Sequence, residues 1–121
     1  MAAAARRYIK PGAGPRPTFN DIALVDYRGA LTNGTVFDAT KPGQPATLPL
    51  SRVVPGFAES LSLIPTGGTY RVWLPPALGY GTEDQRDENG AVVIPGNSVL
   101  VFDITTHAFQ PMPQQGPAPG Q

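Results

Sequence analysis

Alternation of apolar and polar residues, the period of a strand with one buried face, marks most of this chain between residues 22 and 109. The clearest stretches are 22–31, 69–75 and 98–109. One face of each carries, in turn, Ala23, Val25, Tyr27 and Gly29; Tyr70, Val72 and Leu74; and Leu100, Phe102 and Ile104. Asn33-Gly34 follows the first stretch and predicts a hairpin with a two-residue loop, since both residues tolerate positive φ. TVFDAT is then the return strand, and the whole pattern predicts an antiparallel sheet.

One segment has helical spacing instead. In FAESLSLI, Phe57, Leu61 and Ile64 recur at i, i+4 and i+7, and Pro65 with Gly67-Gly68 stops the pattern. One short helix with four or five strands predicts an α+β fold. A helix lying across a sheet leaves a pocket at their junction when the residues there are apolar or aromatic.

Composition narrows the class of partner. The chain has 121 residues and a formal net charge of zero, which fits one compact domain. Binding to nucleic acid or to an anionic membrane normally needs a basic face, so we expect neither as the main partner, and no apolar run is long enough to span a bilayer. A polypeptide or a small molecule is the expected partner.

Side chains for covalent or metal chemistry are scarce. The chain has no cysteine, so it offers no thiolate nucleophile and no cysteine metal site. His107 is the single histidine, near the end of a predicted strand, where a surface or capping role is commoner than catalysis. Asp26 and Asp38 do not suggest a hydrolase, because acids on adjacent strands need not share a site. We therefore expect neither metal nor cofactor.

The two ends of the chain differ in sequence character from its middle. Residues 1–20 are expected to form an N-terminal segment that can supply a first strand, and the opening MAAAARR lacks the apolar core of a secretory signal. Residues 110–121 are rich in Pro, Gln and Gly and predict a disordered tail. The predicted domain is therefore 21–109.

Four blocks of this domain occur in an order that identifies a family. They read VDYRGALTNGTVFDAT, PATLPLSRVVPGFAESL, LPPALGYG and IPGNSVLVFDI. Together they resemble the FKBP-type peptidyl-prolyl cis–trans isomerases, and most of all the bacterial branch that includes the macrophage infectivity potentiator proteins. The resemblance covers residues 22–109 and implies an FKBP-like antiparallel sheet of about five strands wrapped around one short helix. It implies a bacterial cytoplasmic protein or, if a signal has been removed, a periplasmic one.

The resemblance also implies a proline-binding cavity. Its implied catalytic residues are Tyr27, Phe37, Asp38, Tyr80 and Phe102, and its implied substrate-binding residues are Val53, Val54, Phe57 and Ile94. The N–H of Val54 and the hydroxyl of Tyr80 would bind the peptide, and Tyr27 would hold Asp38. Phe57 stands where most members carry tryptophan, and Trp73 does not match that position. Ala46 replaces an aromatic wall residue of some members, and the loop 81–93 is long and charged.

The implied reaction is rotation about Xaa-Pro bonds during protein folding, with proline-containing polypeptides as substrates and the macrolides tacrolimus and rapamycin as possible ligands. An alternative within the same fold is a non-catalytic proline-binding or chaperone module, whose cavity is too loose to discriminate the twisted amide. From periodicity alone Phe102 is an ordinary core residue, and Tyr27 is equally well a half-buried packing residue. The charged loop TEDQRDENG is most simply a solvated tip.

Overall fold

The computed structural model describes residues 5–112, which form eight strands and one α-helix. The strands are β1 (Ala5–Lys10), β2 (Asp21–Leu31), β3 (Val36–Ala39), β4 (Ala46–Pro49), β5 (Thr69–Leu74), β6 (Gln85–Arg86), β7 (Val92–Ile94) and β8 (Leu100–Pro111). The helix α1 spans Pro55–Leu63, and short 3₁₀ turns occupy Leu50–Arg52 and Pro76–Leu78. None of the helices within this range is both long and apolar enough for a membrane crossing.

Six of the strands form one antiparallel sheet. Its order is β1-β5-β8-β2-β3, and β4 also pairs with β2. Strands β3 and β4 pair with different parts of β2: β4 pairs with residues 22–25 and β3 with residues 28–30. The predicted α+β fold is confirmed, with the N-terminal strand β1 as the sixth member of the sheet.

The core lies between α1 and one face of this sheet. Strand β5 alternates half-buried and buried residues along its length, and Leu100, Phe102 and Ile104 of β8 are buried in the same way. From the helix, Phe57 and Leu61 pack into the same cluster. Fully burying a side chain such as Leu61 contributes about 1.5–3 kcal/mol relative to leaving it in water.

The helix begins and ends where its prolines allow. Pro55 is its first residue, a position at which the missing N–H is not needed. Val54 precedes it as the cap, and its carbonyl accepts hydrogen bonds from the N–H groups of Phe57 and Ala58, both at 3.0 Å. Ile64 ends the helix and is still fully buried, so the predicted apolar stripe is present although its last member lies just outside the helix.

The hairpin at Asn33-Gly34 forms, but with a different turn from the predicted one. Among residues 5–112 only Asn97 and certain glycines have positive φ, and Gly34, at +92°, is one of these glycines whereas Asn33 is not. The N–H of Gly34 donates to the carbonyl of Leu31, and Asn33 Oδ1 accepts from the N–H of Thr35. The N–H of Leu31 also donates to the carbonyl of Thr35, so the loop has three residues, 32–34, and needs a positive φ only at Gly34, whereas the predicted two-residue loop needs it at both positions.

The loop predicted at 81–93 contains structure of its own. Strands β6 and β7 pair antiparallel within it, and Gly90, with φ of +83°, closes the small hairpin. At the other end of the domain, β8 continues to Pro111, which pairs with Asp21. Most of the segment predicted as a disordered tail, residues 113–121, lies outside the described residues.

Candidate active site

A cavity of about 320 Å³ opens where the N-terminal end of α1 meets the sheet. The residues that line it come from five parts of the fold: β2, β3, the segment 48–57, the turn before Gly81, and β8. They are Tyr27, Phe37, Asp38, Leu48, Arg52, Val53, Val54, Phe57, Tyr80 and Phe102. Eight of the nine residues that the sequence predicts for the site are therefore brought together in one cavity.

Four aromatic rings form its inner wall. Phe102 lies at the centre, with its ring centroid 5.0 Å from that of Phe57 and 5.6 Å from that of Phe37, and both contacts are edge-to-face. The ring of Tyr27 lies 5.8 Å from Phe57, also edge-to-face, and 6.4 Å from Phe102. The ring quadrupoles favour edge-to-face pairs over face-to-face sandwiches, so each ring restricts the orientation of its neighbours.

Tyr27 also binds Asp38 at the cavity rim. The hydroxyl of Tyr27 donates a hydrogen bond of 2.8 Å to Asp38 Oδ2. Partial burial of the ring, followed by the hydrogen bond and negative charge of Asp38, raises the pKa of Tyr27 to about 12. The hydroxyl donates to Asp38, and the raised pKa extends into the alkaline range the pH interval over which it keeps its proton.

Thr40 holds the backbone of Tyr27 in place. Its N–H donates to the Tyr27 carbonyl at 2.9 Å, and its Oγ1 accepts from the Tyr27 N–H at 3.1 Å. The same hydroxyl lies 3.1 Å from Asp26 Oδ1, to which it donates. These bonds connect the end of β3, which carries Asp38, to the middle of β2.

The motifs VVPGF and LPPALGYG lie on two sides of this cavity. Val53 and Val54 precede α1, and the N–H of Val54 is outside the hydrogen-bond ladder of the helix. Gly56, inside the helix, lies against the Pro76–Leu78 turn so closely that a Cβ there would be 2.8 Å from the Leu78 carbonyl oxygen. Tyr80 follows that turn and is 40% exposed at the cavity mouth. Contact between the helix and the turn thus sets the width of the cavity.

Ile94 is the one predicted site residue that does not line the cavity. It belongs to β7, is 5% exposed, and packs in the hydrophobic core cluster. Its role in substrate binding therefore stays a prediction. Trp73, on β5, is also outside the cavity lining, in agreement with the mismatch seen in the sequence.

Two lining residues were missed by the sequence analysis, Leu48 and Arg52. Leu48 lies two residues after Ala46 on β4, so the two side chains share a face of that strand. The alternation of β4 was thus the signal for Leu48, which supplies apolar wall on the side where Ala46 is small. Arg52 ends a 3₁₀ turn, for which periodicity gives no signal.

Groups for metal or histidine chemistry are not gathered at the cavity. Within residues 5–112 no cluster of three or more His, Asp or Glu residues could hold a metal ion. His107 does not line the cavity, and its Nε2 lies 2.7 Å from Asp26 Oδ2. This hydrogen bond is the largest cause of the lowered pKa of Asp26.

The fold and the cavity define a small α+β domain with an aromatic cavity at the N-terminal end of its helix. Residues 14–107 match the family model of the FKBP-type peptidyl-prolyl cis-trans isomerases. The chain belongs to this family, as the four sequence blocks predicted.

Curated relatives and solved structures agree with that assignment. The chain is 44% identical over 102 residues to the FKBP-type isomerase FkpA of Aeromonas hydrophila, covering 84% of this chain and 36% of the relative. It is 42% identical over 100 residues to the isomerase Mip of Coxiella burnetii, covering 81% and 41%. The crystal structure of FkpA from Escherichia coli superposes with a TM-score of 0.78 at 34% identity, covering 91% of this chain and 49% of that one. The chain thus spans well under half the length of these two curated relatives.

Proposed function

We propose that this domain accelerates cis–trans rotation about Xaa-Pro bonds in polypeptides during their folding. The observation that carries the proposal is the aromatic cavity at the N-terminal end of α1, together with membership of the isomerase family. The site offers shape, apolar surface and a few hydrogen-bonding groups. Those are the properties that this reaction requires.

Rotation about a prolyl bond breaks no covalent bond. The partial double bond of the amide gives a barrier of roughly 18–20 kcal/mol, and both isomers are populated at Xaa-Pro. A catalyst therefore needs only to bind the twisted amide more tightly than either planar form. Because the twisted amide has lost its resonance and carries less charge on its oxygen, an apolar site that excludes water favours it.

Different residues of the cavity are suited to packing the proline ring, to binding the peptide backbone and to supplying an electrostatic field. Phe37, Phe57 and Phe102 supply the dry wall against which a proline ring can pack. The N–H of Val54 and the hydroxyl of Tyr80 lie at the rim and bind the peptide backbone on either side. Asp38, fixed by Tyr27, contributes its field and its hydrogen-bonding capacity. No proton transfer is assigned to Asp38, since the reaction transfers none.

Macrolides such as tacrolimus are proposed as competing ligands of the same cavity. Phe57 provides a smaller floor than tryptophan would, so replacing it by tryptophan should tighten macrolide binding. The second candidate is the non-catalytic module, in which the smaller Phe57 floor leaves the cavity too loose to discriminate the twisted amide. Acceleration of a prolyl peptide decides between the two candidates.

The test is the rate of cis-to-trans relaxation of a short Xaa-Pro peptide with and without the protein. We expect acceleration that tacrolimus abolishes, and a loss of at least about tenfold in kcat/KM for Phe37→Ala and Asp38→Ala with the domain still folded. Val36→Ala is the matched control, because Val36 lies on the same strand, is 42% exposed and does not line the cavity. Full activity in both cavity variants would overturn the site assignment, and no acceleration by the folded wild type would favour the binding module.

A further inference from the structure

Two of the residues that line the cavity carry a formal charge at neutral pH, Asp38 and Arg52. Asp38 is already engaged, because it accepts the hydrogen bond from the Tyr27 hydroxyl. Arg52 is different. Its side chain is exposed and, within residues 5–112, makes neither a hydrogen bond nor a salt bridge.

Two other arginines of the domain form hydrogen bonds within the fold. Arg71 forms two hydrogen bonds with Asp103, at 2.7 and 3.0 Å. Arg86 donates to the Gly90 carbonyl at 2.9 Å and lies 3.4 Å from Asp84 Oδ2. The guanidinium of Arg52 makes no such hydrogen bond within the described residues, so all five of its N–H donors are available to a bound molecule.

The position of Arg52 brings those donors to the substrate. It is the last residue of the Leu50–Arg52 turn and comes two residues before Val54, whose N–H is proposed to bind the peptide backbone. Arg52 thus lines the cavity on the side that is proposed to hold the peptide backbone. The planar fork of arginine matches a carboxylate with two parallel hydrogen bonds.

We propose that Arg52 is a specificity-determining residue that binds the carboxylate of an Asp or Glu adjacent to the substrate proline. The inference rests on the proposed function, since it names the class of Xaa-Pro segment that the same cavity prefers. Between segments that differ only in the charge next to the proline, those with an acidic residue are then bound better than those with a lysine or arginine.

The expected size of the preference for an acidic residue follows from the solvent exposure of the Arg52 side chain. Charge pairs at an exposed site are worth about 0.2–1 kcal/mol, which corresponds to a factor of about 1.4 to 5. We expect kcat/KM to favour a glutamate peptide over its glutamine counterpart by about threefold at low ionic strength. The ratio should fall towards one as salt is added, because exposed charges are screened.

The experiment compares matched peptides on four proteins. The peptides place Glu, Gln or Lys immediately before the proline, and a second set places them immediately after it. The proteins are the wild type, Arg52→Gln, Arg52→Glu and the control Arg7→Gln, which removes an equally exposed positive charge from β1 at the far edge of the sheet. Each rate is divided by the uncatalysed rate of the same peptide, and peptide binding is measured separately by chemical-shift titration.

The expected result is a Glu-to-Gln ratio of about three for the wild type and Arg7→Gln in at least one peptide set, about one for Arg52→Gln, and a preference for Lys in Arg52→Glu. The same ratio in Arg52→Gln as in the wild type would overturn the proposal, as would no Glu preference in either set. If the wild type accelerates none of the peptides, the proposed function fails. The binding titrations then still decide whether Arg52 selects acidic segments.

Discussion

Gly29→Ala is the substitution that tests the aromatic wall most directly. Gly29 lies on β2, where its neighbours in the sheet are Phe102 on β8 and Asp38 on β3. A Cβ at this position would lie 2.6 Å from Phe102 Cε1 and 2.8 Å from Phe37 Cζ. Both ring edges would have to retreat by more than half an ångström to reach the 3.4 Å of ordinary contact. The backbone itself does not oppose alanine, because the φ of Gly29 is not positive.

The cost should appear in both activity and stability. Inserting one methyl group into a packed cluster costs about 1–3 kcal/mol, and each kcal/mol lowers the melting temperature by a few degrees. The two displaced rings, however, belong to the wall that is proposed to face the twisted amide, and a misplacement of about 1 Å in a positioned site can cost about 100-fold in rate. We therefore expect kcat/KM to fall by about tenfold or more in a domain that is still folded at 25 °C.

The assay is prolyl-peptide relaxation below the melting temperatures of all variants. Ile64→Val provides a control of similar stability cost, about 0.5–1.5 kcal/mol, because Ile64 is fully buried where α1 ends and does not line the cavity. Its activity should match that of the wild type. If Gly29→Ala is folded and fully active, the positions of Phe37 and Phe102 do not matter for the reaction, and the proposed role of the aromatic wall is refuted.

Three further predictions follow from individual groups. The folded pKa of Tyr27, about 12, lies above its unfolded value near 10, so its contribution to stability is complete below about pH 10 and is lost as the pH rises through 12. Absorbance titration should show the late-titrating tyrosine, and Asp38→Asn should lower its pKa; an unchanged value in that variant would contradict the assigned cause. The lowered pKa of Asp26 contributes stability above its unfolded value near 3.8, which is lost as the pH falls through the folded value. The stability difference between wild type and His107→Gln, from urea unfolding, should therefore be present near pH 5 and shrink as the pH falls below about 3.8, whereas a constant difference would show that the contact between His107 and Asp26 is not its source. Thr106 has a fully buried hydroxyl with no partner among the described residues, so Thr106→Val should raise the free energy of unfolding by about 1 kcal/mol; a decrease in a thermal or urea melt would count against it.

The long strands could be predicted from the local alternation of apolar and polar residues alone. Strands β2, β5 and β8 alternate because one face of each packs on the core, and this alternation is present in the sequence itself. The hairpin of β6 and β7 was missed for the opposite reason. Gln85 and Arg86 are both polar, so the short strand has no apolar face, and Asn89-Gly90 alone did not reveal it.

The members of the site could be predicted only in part. Tyr27, Phe37 and Phe102 were identified by resemblance, because periodicity cannot distinguish a wall residue from a core residue on the same face of a strand. Ile94 is buried in the same core cluster as Phe57 and Phe102 but does not line the cavity, so its role in substrate binding stays a prediction. Neither periodicity nor the resemblance identified Arg52. An exposed arginine in a turn can be recognised as a cavity residue only when the distant strands β2, β3 and β8, which complete the cavity, have been placed.

The two charged residues of the cavity then have separate roles that follow from their partners. Asp38 accepts a hydrogen bond of 2.8 Å from the Tyr27 hydroxyl, which holds the carboxylate in position at the cavity rim. Arg52 is held by nothing within the described residues and can follow the side chains of a bound peptide. A fixed carboxylate can favour one geometry of the reacting amide, which affects kcat, whereas a mobile guanidinium acts on neighbouring residues in every isomer alike, which affects KM. Changes at Asp38 should therefore lower kcat for every peptide, and changes at Arg52 should alter KM according to the charge beside the proline.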